Sequence, residues 1–241
     1  MKQRIKVWTL LSLNFALIIV LALVFIREDY FVRVARKITG SPTPPQETIY
    51  YQTKVRLQER TLSQALETSQ VQVAVTGDSI IEGWLTSAVL PKSINLGISR
   101  DDVPGLLSRT KPELVQHIPI WYLGIGVNDA LTGAEITDIP AYIKQLSAVF
   151  AQADTLIWRA VLPVSGENWT DTQEKYLEAF NSAASLACRQ MPNCTFLEPP
   201  AGYAENVSEW TSDGLHPNPE GYQRLTEQLC AIVPCFSDAP Q

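Results

Sequence analysis

The stretch Val73-Ala74-Val75-Thr76-Gly77-Asp78-Ser79-Ile80 decides the fold. Val73 to Thr76 read as a short buried strand, Gly77 stops it, and Asp78-Ser79 turns the chain into a helix. A serine at that turn is held on a rigid support, at the sheet edge where open α/β folds bind ligands. The helix start adds backbone N–H groups without intrahelical partners, which favour negative charge. This setting suits a nucleophile whose attack creates an oxyanion.

Outward from this stretch, strands alternate with helices. The pattern predicts strands over residues 71–76, 93–96, 118–123, 155–161 and 195–197. It predicts helices over 80–90, 101–117 with a break near Pro112, 139–153 and 172–189, and a last one capped by Asn218 and running to about Ile232. Such alternation means a mostly parallel sheet covered on both faces. Residues 71–235 are enough for one full core, followed by a tail at 236–241. Residues 49–69 carry Leu57, Leu62 and Leu66 near helical spacing and read as a stalk or as the first helix. The proline-rich stretch 38–47 before them reads as a linker, so 38–70 together form linker and stalk or first helix.

The first 37 residues are different in kind. Val7 to Ile26 is a run of 20 residues without a charge. At ~1.5 Å per residue it matches the ~30 Å hydrocarbon core of a bilayer. Lys2, Arg4 and Lys6 precede it, but no small-residue cleavage site follows, so an uncleaved anchor is expected over 1–37. Lysine and arginine are nearly balanced across the span, which leaves orientation to the cysteines. Cys188, Cys194, Cys230 and Cys235 form two close pairs without C-x2-C spacing, so zinc is not expected. The simplest pairing is local, 188 to 194 and 230 to 235, with two other connectivities open. Disulfides would place the domain outside the cytoplasm, periplasmic or extracellular, behind an N-in single-pass anchor. The first 37 residues carry +5 and the remainder −11, which argues against nucleic acid as a partner.

Four short blocks carry chemistry: Gly77-Asp78-Ser79-Ile80, Asn95-Leu96-Gly97, Gly126-Val127-Asn128-Asp129 and Asp213-Gly214-Leu215-His216. The first three follow predicted strands, and in a parallel sheet all strand C-termini share one edge. A serine needs a base, and the chain holds only two histidines. His117 falls before the third strand, at the wrong edge, so His216 is the candidate base. Asp213, three residues earlier, can hold its tautomer and offset the imidazolium charge. The Ser79 and Gly97 N–H groups and the Asn128 amide are candidate oxyanion donors. Ile80, Arg100, Val127, Trp210 and Leu215 are candidates to contact substrate, and each equally suits packing or a solvated surface. Gly124-Ile125-Gly126 lacks the third glycine of a dinucleotide fingerprint, because Asp129 stands in its place. No G-x-S-x-G elbow surrounds Ser79.

Taken in order, the four blocks resemble those of the SGNH family, the GDSL-type esterases and lipases, with GDSI where the family name has GDSL. The resemblance covers most of 71–235 and none of the anchor or linker. It implies a three-layer, flavodoxin-like α/β fold with a five-stranded parallel sheet, a triad at Ser79, His216 and Asp213, and no metal or cofactor. Three functions follow as expectations. The first is a membrane-anchored serine esterase acting on acyl or acetyl esters of a glycan, lipid or small molecule. The second is an O-acyltransferase or deacetylase on cell-envelope polysaccharide that uses the same triad. The third is a non-catalytic surface binding domain.

Overall fold

The computed structural model describes residues 44–68 and 71–235. The anchor expected over Val7–Ile26, most of the linker and the tail lie outside the described residues. Among the described residues, no helix is long and apolar enough to cross a membrane. The chain divides into two units, Met1–Thr48 and Ile49–Gln241. Of the first, Pro44 to Thr48 are described, with one 3-10 turn at Pro45–Glu47.

The second unit opens with helix α1 (Ile49–Glu67) and then builds a five-stranded sheet. Its strands are β1 (Val73–Gly77), β2 (Ser93–Gly97), β3 (Ile120–Gly124), β4 (Thr155–Arg159) and β5 (Cys194–Leu197). The spatial order is β2-β1-β3-β4-β5, and every pairing is parallel. Alternate residues separate two cores. Ala74, Trp121, Leu123, Leu156 and Trp158 face one cluster with Leu62 of α1, while Val73, Val75, Tyr122 and Ile157 face the other. The first face is covered further by α3 (Val103–Arg109), α4 (Pro112–Val115), α5 (Val127–Thr132), α6 (Ile139–Phe150) and α7 (Asp171–Gln190). The opposite face is covered by α2 (Ser79–Glu82), α8 (Val207–Trp210) and α9 (Pro219–Cys230). The result is a three-layer α/β unit with five parallel strands.

The register fixes where function can sit. Gly77 pairs with Gly97 on one side and with Gly124 on the other, so three strands end in glycine at one level. The chain leaves each glycine toward the same edge, carrying Ser79, Arg100 and Asn128 within a few residues.

Three details depart from the sequence pattern. The helix expected over 80–90 stops at Glu82, and only a 3-10 turn, Thr86–Ala88, follows. Gly83 lies where any Cβ would strike the Tyr222 hydroxyl, and Trp84 turns into the core with its Nε1 donating to Thr226 Oγ1 at 3.1 Å. Within α1, Leu62 is buried but Leu57 is 58% exposed; the inward position near the helix start belongs to Tyr51. Finally, α5 grows from the Gly126-Val127-Asn128-Asp129 block, where no helix was expected. Both local cysteine pairs are bonded, with Cα atoms 5.2 Å apart for Cys188–Cys194 and 5.5 Å for Cys230–Cys235. The first ties the end of α7 to β5, and the second closes the chain after α9.

Candidate active site

Ser79 is the first residue of α2. Asp78 caps that helix, accepting the Ile80 N–H at 2.9 Å. Gly77 has φ +151°, and a side chain there would collide with the Gly124 carbonyl, so the sharp exit from β1 requires glycine. The Ser79 hydroxyl lies 2.9 Å from His216 Nε2, and His216 Nδ1 lies 2.7 Å from Asp213 Oδ2. Asp213 Oδ1 also accepts the backbone N–H groups of Leu215 and His216 at 3.1 and 2.8 Å. Burial alone would raise the Asp213 carboxyl, but these hydrogen bonds hold it below its ordinary value. The loop bearing both residues is fastened from outside: Ser165 donates its N–H to the Gly214 carbonyl at 2.9 Å. His117 stands at the other edge of the sheet, lining a cleft of about 500 Å³ with Val71, Gln72 and Pro119.

Asn128 Nδ2 donates one hydrogen to the Asp101 carbonyl at 2.8 Å, which fixes the amide plane and leaves the second hydrogen for another acceptor. Gly97 is placed differently from expectation. Its N–H donates to Asn95 Oδ1 at 2.9 Å, so it is already committed within the protein. What this glycine provides is space, because a Cβ there would collide with the Glu82 nitrogen and with Ile81. The loop that follows holds an N–H that sequence reading missed. Ile98 to Asp101 form a β-turn closed by Asp101 N–H to the Ile98 carbonyl at 3.1 Å, with Arg100 third at φ +66°. That is the position of a type II turn that favours glycine. The turn's own hydrogen bond does not use the central N–H, so the Arg100 N–H stays available.

Several positioning residues were also missed. Asn95 Nδ2 donates to the carbonyls of Ile81 and Trp84, at 2.6 and 2.8 Å, and Tyr222 donates its hydroxyl to the Ile80 carbonyl at 2.9 Å. Glu82 accepts from Ser99 through both its N–H and its hydroxyl, and also from Tyr50 and Lys54. Burial would raise Glu82, but these partners bring it down to about 2. Asn95 sits in a strand-end block and could have been suspected; nothing local marks the others.

Of the expected substrate contacts, Ile80 and Val127 are each 1% exposed and belong to the two cores. Each sits beside a candidate site residue, Ser79 or Asn128, on its helix, and packs into the core. Trp210 packs edge-on against Tyr203, with the Arg224 guanidinium 5.1 Å from its ring centroid. Leu215 packs, half-buried, against both cores, and Arg100 is exposed.

Beneath the site lie carboxyl groups with raised pKa values. Burial pushes Asp129 up to about 8, with Asp102 adding to the effect, although its oxygens accept the Val103 N–H at 3.2 and 3.1 Å. Burial pushes Asp78 up to about 6 despite nearby Arg159. In the unfolded chain both titrate near ~3.9. Between about pH 4 and 8 the native state therefore holds more protons than the unfolded state. The stability they contribute is complete below about pH 4 and is lost as pH rises through the folded values. The melting temperature is expected to fall as pH rises from about 5 to about 8. Asp129→Asn, which cannot ionise, should flatten that slope; an unchanged slope in thermal scans of the variant would contradict the assignment.

Residues 75–224 match the GDSL-like Lipase/Acylhydrolase family, and the chain belongs to it. It is a serine ester hydrolase. The fold is similar to that of a GDSL-like lipase from Bacteroides thetaiotaomicron, with 21% identity, TM-score 0.56, and coverage of 73% of this chain and 95% of that one. It is also similar to a member of the lipolytic G-D-S-L family from Veillonella parvula (16% identity, TM-score 0.56, 66% and 96% covered). A third similar structure is a catalytic mutant of an acetylxylan esterase from Geobacillus stearothermophilus, with 17% identity, TM-score 0.53, and 66% and 92% covered. No curated protein matches the chain in sequence.

Proposed function

We propose that Ser79, His216 and Asp213 act as a catalytic triad in carboxylic ester hydrolysis. The observation that carries this reading is the continuous chain from Ser79 Oγ through His216 to Asp213, at 2.9 and 2.7 Å. His216 Nε2 takes the Ser79 proton as Oγ attacks the acyl carbon. Asp213 keeps the ring in the tautomer that leaves Nε2 free and stabilises the imidazolium. The tetrahedral oxyanion is bound by the N–H groups of Ser79 and Arg100 and by the second Nδ2 hydrogen of Asn128; Arg100 replaces Gly97 because the Gly97 N–H is bound to Asn95. His216 then gives its proton to the leaving alkoxide. Water repeats the cycle on the acyl-enzyme, releasing the carboxylic acid and restoring Ser79. The His216 and Asp213 side chains are 39% and 55% exposed, which gives water access for the second half.

We further propose that the hydrolase faces the extracytoplasmic side, tethered by the apolar segment Val7–Ile26. The two disulfides support this location. One experiment tests both readings. Intact and lysed cells expressing the full chain are treated with a charged, membrane-impermeant fluorophosphonate, and the labelled peptide is identified by mass. The expected result is labelling at Ser79 in intact cells, recovered with membranes and absent from Ser79→Ala and His216→Ala. Labelling only after lysis would refute the location. Its absence from folded protein under both conditions would refute the triad.

A further inference from the structure

The turn Ile98–Asp101 is fastened on two sides. Ile98 donates its N–H to the Gly77 carbonyl at 3.0 Å, and Ser99 is bound to Glu82 at the end of the serine helix. On the other side, the Asp101 carbonyl holds Asn128. Arg100 therefore stands between the elements that carry Ser79 and Asn128. Its φ of +66° is one that non-glycine residues occupy at a cost in stability, and strain of this kind gathers at functional sites.

Arg100 is exposed and makes no ion pair or side-chain hydrogen bond among the described residues. The acids around it are already engaged. Glu82 serves Lys54, Tyr50 and Ser99, and Asp101 serves Arg109 and Tyr51. Asp102 caps α3 through Gly105, and Asp213 holds His216. On a chain of net charge −6, Arg100 is an exposed cation, unpaired among the described residues, on the turn between the elements that carry Ser79 and Asn128.

We propose that Arg100 is a specificity-determining residue that favours esters carrying a negative charge, such as a carboxylate or phosphate, near the scissile bond. The inference rests on Ser79 being the nucleophile. The anion can belong to the acyl part or to the alcohol, and two substrate pairs distinguish these. Mono-p-nitrophenyl succinate against p-nitrophenyl butyrate places the charge on the acyl side. p-Acetoxybenzoate against its methyl ester places it on the alcohol side. The quantity read is the charged-to-neutral ratio of kcat/KM within each variant, so any change in the oxyanion donors cancels.

In at least one pair this ratio should drop by roughly 2- to 5-fold from wild type to Arg100→Gly at low salt, the range of one exposed charge pair. It should be retained in Arg100→Lys and fall further in Arg100→Glu. The wild-type preference should fade as ionic strength rises from about 0.01 M to about 1 M, where the Debye length shrinks from ~30 Å to ~3 Å. Arg100→Gly should melt at or above the parent temperature, since glycine relieves the backbone. Ratios unchanged in both pairs, with neutral esters still hydrolysed, would overturn the inference alone. A lowered melting temperature for Arg100→Gly would show that the side chain is held by packing and would overturn it as well. Failure of the wild type on every ester, together with absent Ser79 labelling, would remove the nucleophile reading and this inference with it.

Discussion

His216→Ala should lower kcat on a p-nitrophenyl ester by roughly 10⁴- to 10⁶-fold, with KM changed little. The imidazole is the proton acceptor within reach of the Ser79 hydroxyl, at 2.9 Å. Without it, Oγ attacks as a neutral alcohol, and water attacks the acyl-enzyme without a positioned base. Ser79→Ala should cost a similar factor, since no acyl-enzyme can form. The informative test is the double variant. Two groups that act in one proton transfer are strongly non-additive, so Ser79→Ala/His216→Ala should be no slower than either single variant. Losses that multiply, measured as kcat with purified folded protein, would mean that the two residues act independently and would refute the triad. Asp213→Asn should lose a smaller factor, roughly 10⁴, because the amide favours the wrong imidazole tautomer.

What made these residues legible in the sequence was topology. Parallel strands bring their C-termini to one edge, so Ser79 and Asn128 could be placed together from strand order alone, and the Asp213-x-x-His216 spacing supplied the candidate base. Gly97 could not be read this way. Whether a backbone N–H faces an open site or a neighbouring side chain depends on the Asn95 rotamer, which no periodicity encodes. The proposed role of the Arg100 N–H was hidden for a related reason: a positive φ at an arginine contradicts the local preference of its residue type and is imposed by bonds to Gly77, Glu82 and Asn128. The shortened helix after Ser79 follows the same logic, since Gly83 yields to Tyr222, a residue far along the chain. In α1, leucine spacing suggested one face, but Tyr51 turns inward because its hydroxyl finds Asp101 at 2.7 Å. Buried arginines are the least legible of all, since composition rules place charge outside.

Arg109 is the clearest of these, and Arg109→Met is expected to have the largest effect on stability. The Arg109 and Asp101 side chains are only 5% and 0% exposed, and Nε and Nη2 both lie 2.8 Å from Asp101 Oδ2. Nη1 also donates to Gln58 Oε1 at 3.2 Å and Nη2 to the Gly77 carbonyl at 3.1 Å. One guanidinium thus joins α1, the end of β1 and the turn Ile98–Asp101. Removing it leaves a buried carboxylate with only Tyr51 as side-chain partner among the described residues. Breaking a buried pair in this way costs about 3–5 kcal/mol. For a unit of this size that is a fall in melting temperature of about 6–20 °C. Burial pushes the Asp101 carboxyl up while Arg109 and the Tyr51 hydroxyl pull it back, so without the guanidinium the upward push is opposed by Tyr51 and the carboxyl rises further. The deficit should therefore shrink as pH falls toward about 5 and grow toward about 8. Replacing both partners, in Asp101→Asn/Arg109→Met, should recover part of the loss, because no uncompensated charge stays buried. Activity should fall in the single variant even well below its melting temperature, since the Asp101 carbonyl orients Asn128. A melting temperature within about 2 °C of the parent at pH 8 would show that water reaches Asp101, and that this pair does not hold the turn Ile98–Asp101 in place.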